Sequence, residues 1–214
     1  MSYERRTANE GVELREEGDA LVAIGYAAKF DRMSANLGGF CERIEKGAFV
    51  STLKQSDVRA LWNHDANHLL GRSSAGTLRL AEDERGLRYE IDLPYTSLGR
   101  DLAELLRRGD ISGSSFGFRT ITDSWGESKD GFPLRTLHEV ALHDISPCSF
   151  PAYEDTEASL RSLAEQRSLD LEVLIEAAEA NRLRDFIFSD DLTIDDEGPG
   201  ETHPAIVRKS WAIR

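Results

Sequence analysis

Ser112, Ser114 and Ser115 lie in a run from Gly109 to Arg119, Gly-Asp-Ile-Ser-Gly-Ser-Ser-Phe-Gly-Phe-Arg, where small, turn-permissive residues surround hydroxyls inside an apolar frame. Phe116 and Phe118 alternate with smaller residues as on a strand, and Gly113 and Gly117 would let the backbone come close to a substrate. The chemistry such a strand suits is nucleophilic attack by a serine, with Ser115 between the aromatic positions. The same residues also suit a turn and strand end with no chemistry. A serine hydroxyl is a weak nucleophile unless a base stands within hydrogen-bond reach and a third group orients that base. His64, at the end of the apolar stretch Val58–Trp62 and ahead of a glycine-containing loop, is the candidate base. An imidazole can take the hydroxyl proton and return it to a leaving amine near neutral pH. His68, His138 and His143 are its rivals. For the orienting acid, Glu139 and Asp144 are both candidates. An odd separation puts them on opposite faces of an uninterrupted strand, so only one can face the site unless a bulge intervenes.

The elements that must carry these residues follow from pattern. Ala20–Phe30 reads as a largely buried strand and Val58–Trp62 as another, and Thr77–Leu80 with Leu87–Leu93 form a hairpin around Asp83–Gly86. Leu98, Leu102, Leu105 and Leu106 recur at helical spacing, with Thr96 or Ser97 to cap the start and Arg107, Arg108 and Gly109 to end the helix. That helix delivers the chain to the serine strand. Thr120–Thr122 extends the strand, a polar loop follows around Trp125, and Arg135–Ile145 returns as a further strand stopped by the prolines of Ser146–Ala152. From residue 157 the character changes. Leu171, Leu174, Ile175 and Ala178 mark a helix in an acidic segment, residues 189–204 read as a solvated linker, and Ala205–Arg214 as a basic, partly apolar tail. The expected division is a catalytic domain over 1–156, an acidic amphipathic helical segment over 157–188, and a disordered linker with basic tail over 189–214.

Composition narrows the function classes. The chain of 214 residues is 40% hydrophobic and 30% charged, enough for one globular domain with an appendage, and carries a formal charge of −13. That sign argues against a nucleic-acid partner. Two cysteines, Cys41 and Cys148, make neither a disulfide framework nor a cysteine zinc site, and no long apolar run predicts a membrane span or a signal peptide. A soluble, intracellular protein is expected. His64-Asp-Ala-Asn-His68 has the spacing of a zinc-protease helix, but its residues form helices poorly and Asp is a methylene shorter than the usual Glu, so no metal is expected. No diffusible cofactor is implied.

The order of these motifs resembles the prohead maturation proteases of tailed phages, distant relatives of the herpesvirus assemblins. The resemblance runs from about Tyr3 to Tyr153. It rests on Gly25-Tyr-Ala-Ala-Lys-Phe30, Glu42–Phe49 with its Gly47-Ala-Phe, Leu61-Trp-Asn-His64-Asp with Leu70-Gly-Arg, Ser74-Ala-Gly-Thr-Leu with Gly86-Leu, the serine strand, and Leu142-His-Asp-Ile-Ser with Pro151-Ala. It implies an α+β protein, a small, mainly antiparallel β-barrel flanked by helices like the herpesvirus protease; the acidic helical C-terminal extension lies beyond the resemblance and is read from composition. By the same resemblance Ser115 is the nucleophile, His64 the base, and Glu139 the third member. Glu139-Val-Ala-Leu stands where the assemblins carry a histidine heading a similar string, while phage relatives commonly have an acid at Asp144. The tandem arginines of the assemblins are missing, which leaves backbone amides near Ser115 and Gly117 to act as oxyanion donors. The implied function is a serine endopeptidase acting inside the immature capsid in the host cytoplasm. Its implied substrates are the scaffolding segment of the major capsid protein and the protease itself; a homodimer is left open. The competing reading is a catalytically silent, capsid-associated structural or scaffold protein.

Overall fold

The computed structural model describes residues 3–8, 11–149 and 156–188, with the side chains of 156–158 and 166 set aside. The first strand, β1 (Glu4–Ala8), comes from a polar, charged stretch in which no strand is expected. Glu4, Arg6 and Ala8 face inward while Arg5 faces out, the two-residue period of a strand whose buried face carries charges. β2 (Glu13–Glu17) and β3 (Ala20–Lys29) follow as a hairpin, then β4 (Cys41–Ile44) and a short helix α1 (Val50–Gln55). β5 (Arg59–Trp62) and β6 (Asp65–Arg72) form a second hairpin, and β7 (Leu78–Glu82) and β8 (Gly86–Asp92) a third.

Helix α2 (Ser97–Arg108) is capped by Thr96, whose hydroxyl accepts from the Gly99 amide. It ends at Gly109, whose φ of 79° is the left-handed conformation that glycine adopts without cost. The two longest strands come next, β9 (Gly113–Glu127) and β10 (Pro133–Cys148). β9 continues through the segment around Trp125 expected as a loop, and β10 runs past Pro147. The Pro147 carbonyl still accepts a bond from the Asn63 amide.

Among the described residues ten strands form two sheets and no closed barrel, which corrects the barrel expectation. One sheet runs β1-β9-β10-β5-β6, with β4 also on β10; the other runs β2-β3-β8-β7. β10 is the hub. It pairs antiparallel with β9 along its length, and on its other edge parallel with β4 and then with β5. The inner faces of both sheets share one apolar core, with Ala23, Ala27, Leu87, Tyr89 and Ile91 from the smaller sheet meeting Ala60, Phe116, Phe118, Val140 and Leu142 from the larger. Leu102 and Leu106 of α2 join them.

The segment expected to be one acidic helical stretch holds three helices, α3 (Thr156–Arg167), α4 (Leu171–Glu179) and α5 (Leu183–Phe188). Their apolar faces, through Leu160, Leu163, Leu174, Leu183 and Ile187, close a second core on Leu37, Phe40 and Trp125. The expected linker and tail over 189–214 lie outside the described residues, as do Phe150–Ala152. Among the described residues no helix is long and apolar enough to cross a membrane.

Candidate active site

Ser115 sits near the start of β9, whose alternation divides its side chains between two environments. Phe116 and Phe118 enter the core. Ser115 and Gly117 turn to the opposite face, and Ser114 turns coreward to share a 2.7 Å hydrogen bond with the Tyr89 hydroxyl. His64 arrives from the β5–β6 hairpin, whose two turn residues, Asn63 and His64, have φ values of 55° and 57°. Positive φ at both positions is what a two-residue hairpin turn matching the strand twist requires, and asparagine accepts it more readily than most residues. The end of β10 pins this turn. The Asn63 amide donates to the Pro147 carbonyl at 3.2 Å, the Ser149 amide to Asn63 Oδ1 at 2.9 Å, and the His64 amide to Ser146 Oγ at 3.1 Å.

The acid reaches the site through a bulge. On β10, Leu142 lies opposite Phe118 and Asp144 opposite Gly117, so His143 is an extra residue in the ladder. Without it Asp144 would share the coreward face of Leu142; with it, Asp144 and Ser146 stand on the face of Ser115. The result is a continuous relay: His64 Nε2 is 2.7 Å from Ser115 Oγ, and His64 Nδ1 is 2.5 Å from Asp144 Oδ2. Glu139 is not part of it. It lies opposite Thr122, five residues back along β10 from Asp144, or about 16 Å at the rise of a strand. The string similarity that favoured Glu139 took no account of the bulge at His143.

Asp144 is nearly enclosed, and its oxygens are well supplied with donors. Oδ2 accepts from Ser146 Oγ at 3.1 Å besides His64, and Oδ1 accepts from the Tyr3 hydroxyl. Burial pushes its carboxyl upward, but the hydrogen bond and charge of His64, then the bonds from Tyr3 and Ser146, outweigh it and hold the group below the usual carboxylate range. The acid is therefore an anion suited to hold an imidazole in one tautomer. Cys148, close by and unused, is pushed up to about 12 by burial and by Asp144's charge, which makes it a poor rival nucleophile.

Ser115 is fully buried, and its single proton has two acceptors: His64 Nε2, and the Arg6 carbonyl of β1 at 2.9 Å. β1 lies antiparallel along β9, with Thr7 opposite Ser115. It is anchored by buried charges that sequence reading missed. Arg6 forks onto Glu42 at 2.9 and 3.0 Å and reaches Glu4 at 2.7 Å. Arg135 bonds Glu4 at 2.9 Å, Glu42 at 3.2 Å and Asp123 at 2.6 Å. Ser162 of α3 adds a bond to Glu4 at 2.8 Å, which ties the C-terminal helices to the strand beside the nucleophile. Glu4, Arg5 and Arg6 are all charged, so no alternation of residue types gave an advance signal.

The rival histidines stand elsewhere. His68 pairs with Asp65 at the hairpin surface, and His143 packs beside the Tyr3 ring. His138 makes a look-alike chain, 2.7 Å to Ser124 Oγ and 2.6 Å to Glu45 Oε2, but on an exposed surface of β9 and β10. The zinc-like spacing from His64 to His68 falls in a hairpin and not a helix, and the described residues contain no cluster of ligands able to hold a metal ion.

A strand-borne serine, a turn-borne histidine and a bulge-positioned aspartate on a two-sheet α+β scaffold define a serine-hydrolase type of site. The family comparison is more specific: residues 9–169 match the model of the caudovirus prohead serine proteases, and the chain belongs to that family. No curated protein matches it in sequence. Among solved structures it is similar to the bacteriophage T4 capsid assembly protease gp21, at 12% identity over 69% of this chain and 97% of that one, with a TM-score of 0.48.

Proposed function

We propose that this protein is the endopeptidase of capsid maturation in its phage, working through Ser115, His64 and Asp144 on the scaffolding segment of the major capsid protein and on its own chain. The observation that carries the reading is the unbroken relay from Ser115 Oγ through both nitrogens of His64 to Asp144. In this reading Ser115 Oγ attacks the peptide carbonyl carbon while its proton passes to His64 Nε2. The same nitrogen then protonates the leaving amine, and water repeats the sequence on the acyl-enzyme. Asp144 keeps Nδ1 protonated and stabilises the imidazolium. Amides around Ser115 and Gly117 supply the oxyanion donors.

Attack requires Ser115's proton to point at His64 and not at the Arg6 carbonyl. Because Ser115 is fully buried with β1 paired beside it, a substrate must first displace neighbouring chain, and the closed form is a resting one. The burial of Ser115 is also the one observation that favours the silent structural reading. Intact mass of the capsid protein and the protease inside assembled proheads, with wild type beside Ser115→Ala, separates the two. Shortened capsid protein with wild type only supports the protease; full-length capsid protein in both leaves the structural role. The domain division and the linker and tail over 189–214 belong to the same proposal, with the extension acting to recruit the enzyme to the shell or delay its activity. Deleting Ser189–Arg214 with no change in packaging or self-processing removes that part.

A further inference from the structure

Asp144 must present Oδ2 to His64 from a strand interrupted by a bulge one residue earlier, so its χ angles need fixing from the far side. Ser146 holds Oδ2, the oxygen already shared with His64. On Oδ1 the partner is Tyr3, which enters from the residue preceding β1. Its ring packs beside His143, the bulged residue itself, with centroids 5.7 Å apart, and the Arg5 guanidinium lies over the ring at 5.4 Å.

A second, independent feature points to the same contact. Gly117, opposite Asp144 on β9, has an ordinary strand conformation, yet a Cβ there would overlap the Tyr3 hydroxyl and lie 2.6 Å from Asp144 Oδ1. The glycine that reads in sequence as room for substrate is instead the room in which Tyr3 meets Asp144.

We infer that Tyr3 is a positioning residue of the relay: its hydroxyl, admitted by the missing side chain at Gly117, donates to Asp144 Oδ1 and fixes the carboxylate for His64. The inference rests on the protease reading above and extends it, because it makes the segment entering β1 a working part of the site. Burial and the neighbouring Asp144 push the Tyr3 phenol well up, so it remains a donor at any working pH. The other groups facing Asp144 are His64 from the hairpin turn, Cys148 from β10, and Arg5 through the Tyr3 ring.

The test is the pH dependence of Ser115 phosphonylation by a small fluorophosphonate in the full chain, followed for hours so that rare openings of β1 are captured, with Ser115→Ala as blank. Tyr3→Phe keeps the ring against His143 and removes only the donor. A hydrogen bond to a charged group contributes enough that the rate at neutral pH should fall about fivefold or more. The Tyr3 bond is one of the interactions that hold the Asp144 carboxyl below its usual range, so without it the acid limb should move up by roughly half a pH unit or more. The limb position distinguishes this from a structural effect, because looser packing of β1 alters access equally at each pH. Gly117→Ala should move the limb at least as far, because its Cβ would expel the hydroxyl and also crowd Asp144 Oδ1. An unmoved limb in Tyr3→Phe overturns the inference and leaves the protease standing. Absence of any Ser115-dependent labelling in wild type overturns the protease reading and this inference with it.

Discussion

Replacing Arg135 with methionine removes one of two buried guanidiniums that neutralise three enclosed carboxylates, Glu4, Glu42 and Asp123, while keeping an unbranched stem like arginine's own. Arg135 is 1% exposed and Glu4 fully buried, so water cannot take the arginine's place. Breaking a buried pair by deleting one partner costs about 3–5 kcal/mol. For a chain of this size each kcal/mol moves the melting temperature by about 2–4 °C, so the fall should be about 6–20 °C.

The pH dependence is the sharper part. Burial alone would raise Glu4's carboxyl, but the charges of Arg135 and then Arg6 overcome it and hold the group below its ordinary value. A depressed carboxyl contributes stability that is fully present above its unfolded value and is lost as pH falls through the folded value. In Arg135→Met burial regains the upper hand, Glu4 becomes a liability at neutral pH, and protonation relieves it. The gap between wild type and variant should therefore be widest near pH 7 and narrow toward about pH 4. Urea unfolding at both pH values measures it. A gap under about 1 kcal/mol at pH 7, or one of equal size at both pH values, would refute the view that this cluster anchors β1.

Two further outcomes follow from the same geometry. Ser124→Ala breaks the exposed Ser124–His138–Glu45 chain, which has no enclosed site around it, and capsid-protein cleavage should stay at the wild-type rate; a marked loss would mean that the wrong serine has been assigned. Asn63→Ala places an ordinary side chain at a φ of 55° and should lower stability by about 1–2 kcal/mol in urea unfolding, whereas Asn63→Gly, free of that strain, should lose less. Equal losses would show that the bond from the Ser149 amide, and not backbone strain, governs the turn.

Much of the site was legible because local rules met no opposition. The alternation of Phe116 and Phe118 set Ser115 and Ser114 on opposite faces of β9, and both stand there. The helix cap at Thr96 and stop at Gly109 form as composition suggests. What escaped was decided by neighbours distant in sequence. The parity rule for Glu139 and Asp144 is sound on a regular strand, but the bulge at His143 resets it, and no residue type in Leu142-His-Asp announces an extra residue in the ladder. β1 gave no strand signal because Arg6 and Glu4 find their partners Glu42 and Arg135 only after folding. Gly117 seemed to serve a substrate, and only the position of Tyr3 shows what fills its space. The barrel implied by resemblance resolves into two sheets because β10 receives β4 and β5 in succession on one edge while β3 and β8 pair apart.

The central claim is that Ser115 is activated through His64 by Asp144, and covalent trapping tests it most directly. Wild type, Asp144→Asn and Glu139→Gln are treated with a fluorophosphonate, and the adduct is mapped by peptide mass spectrometry. The account predicts an adduct on Ser115 at equal rates in wild type and Glu139→Gln, and a rate lower by as much as about 10⁴-fold in Asp144→Asn, where the imidazole is held in the wrong tautomer. Loss of labelling in Glu139→Gln with Asp144→Asn unaffected, or an adduct on a residue other than Ser115, would contradict it.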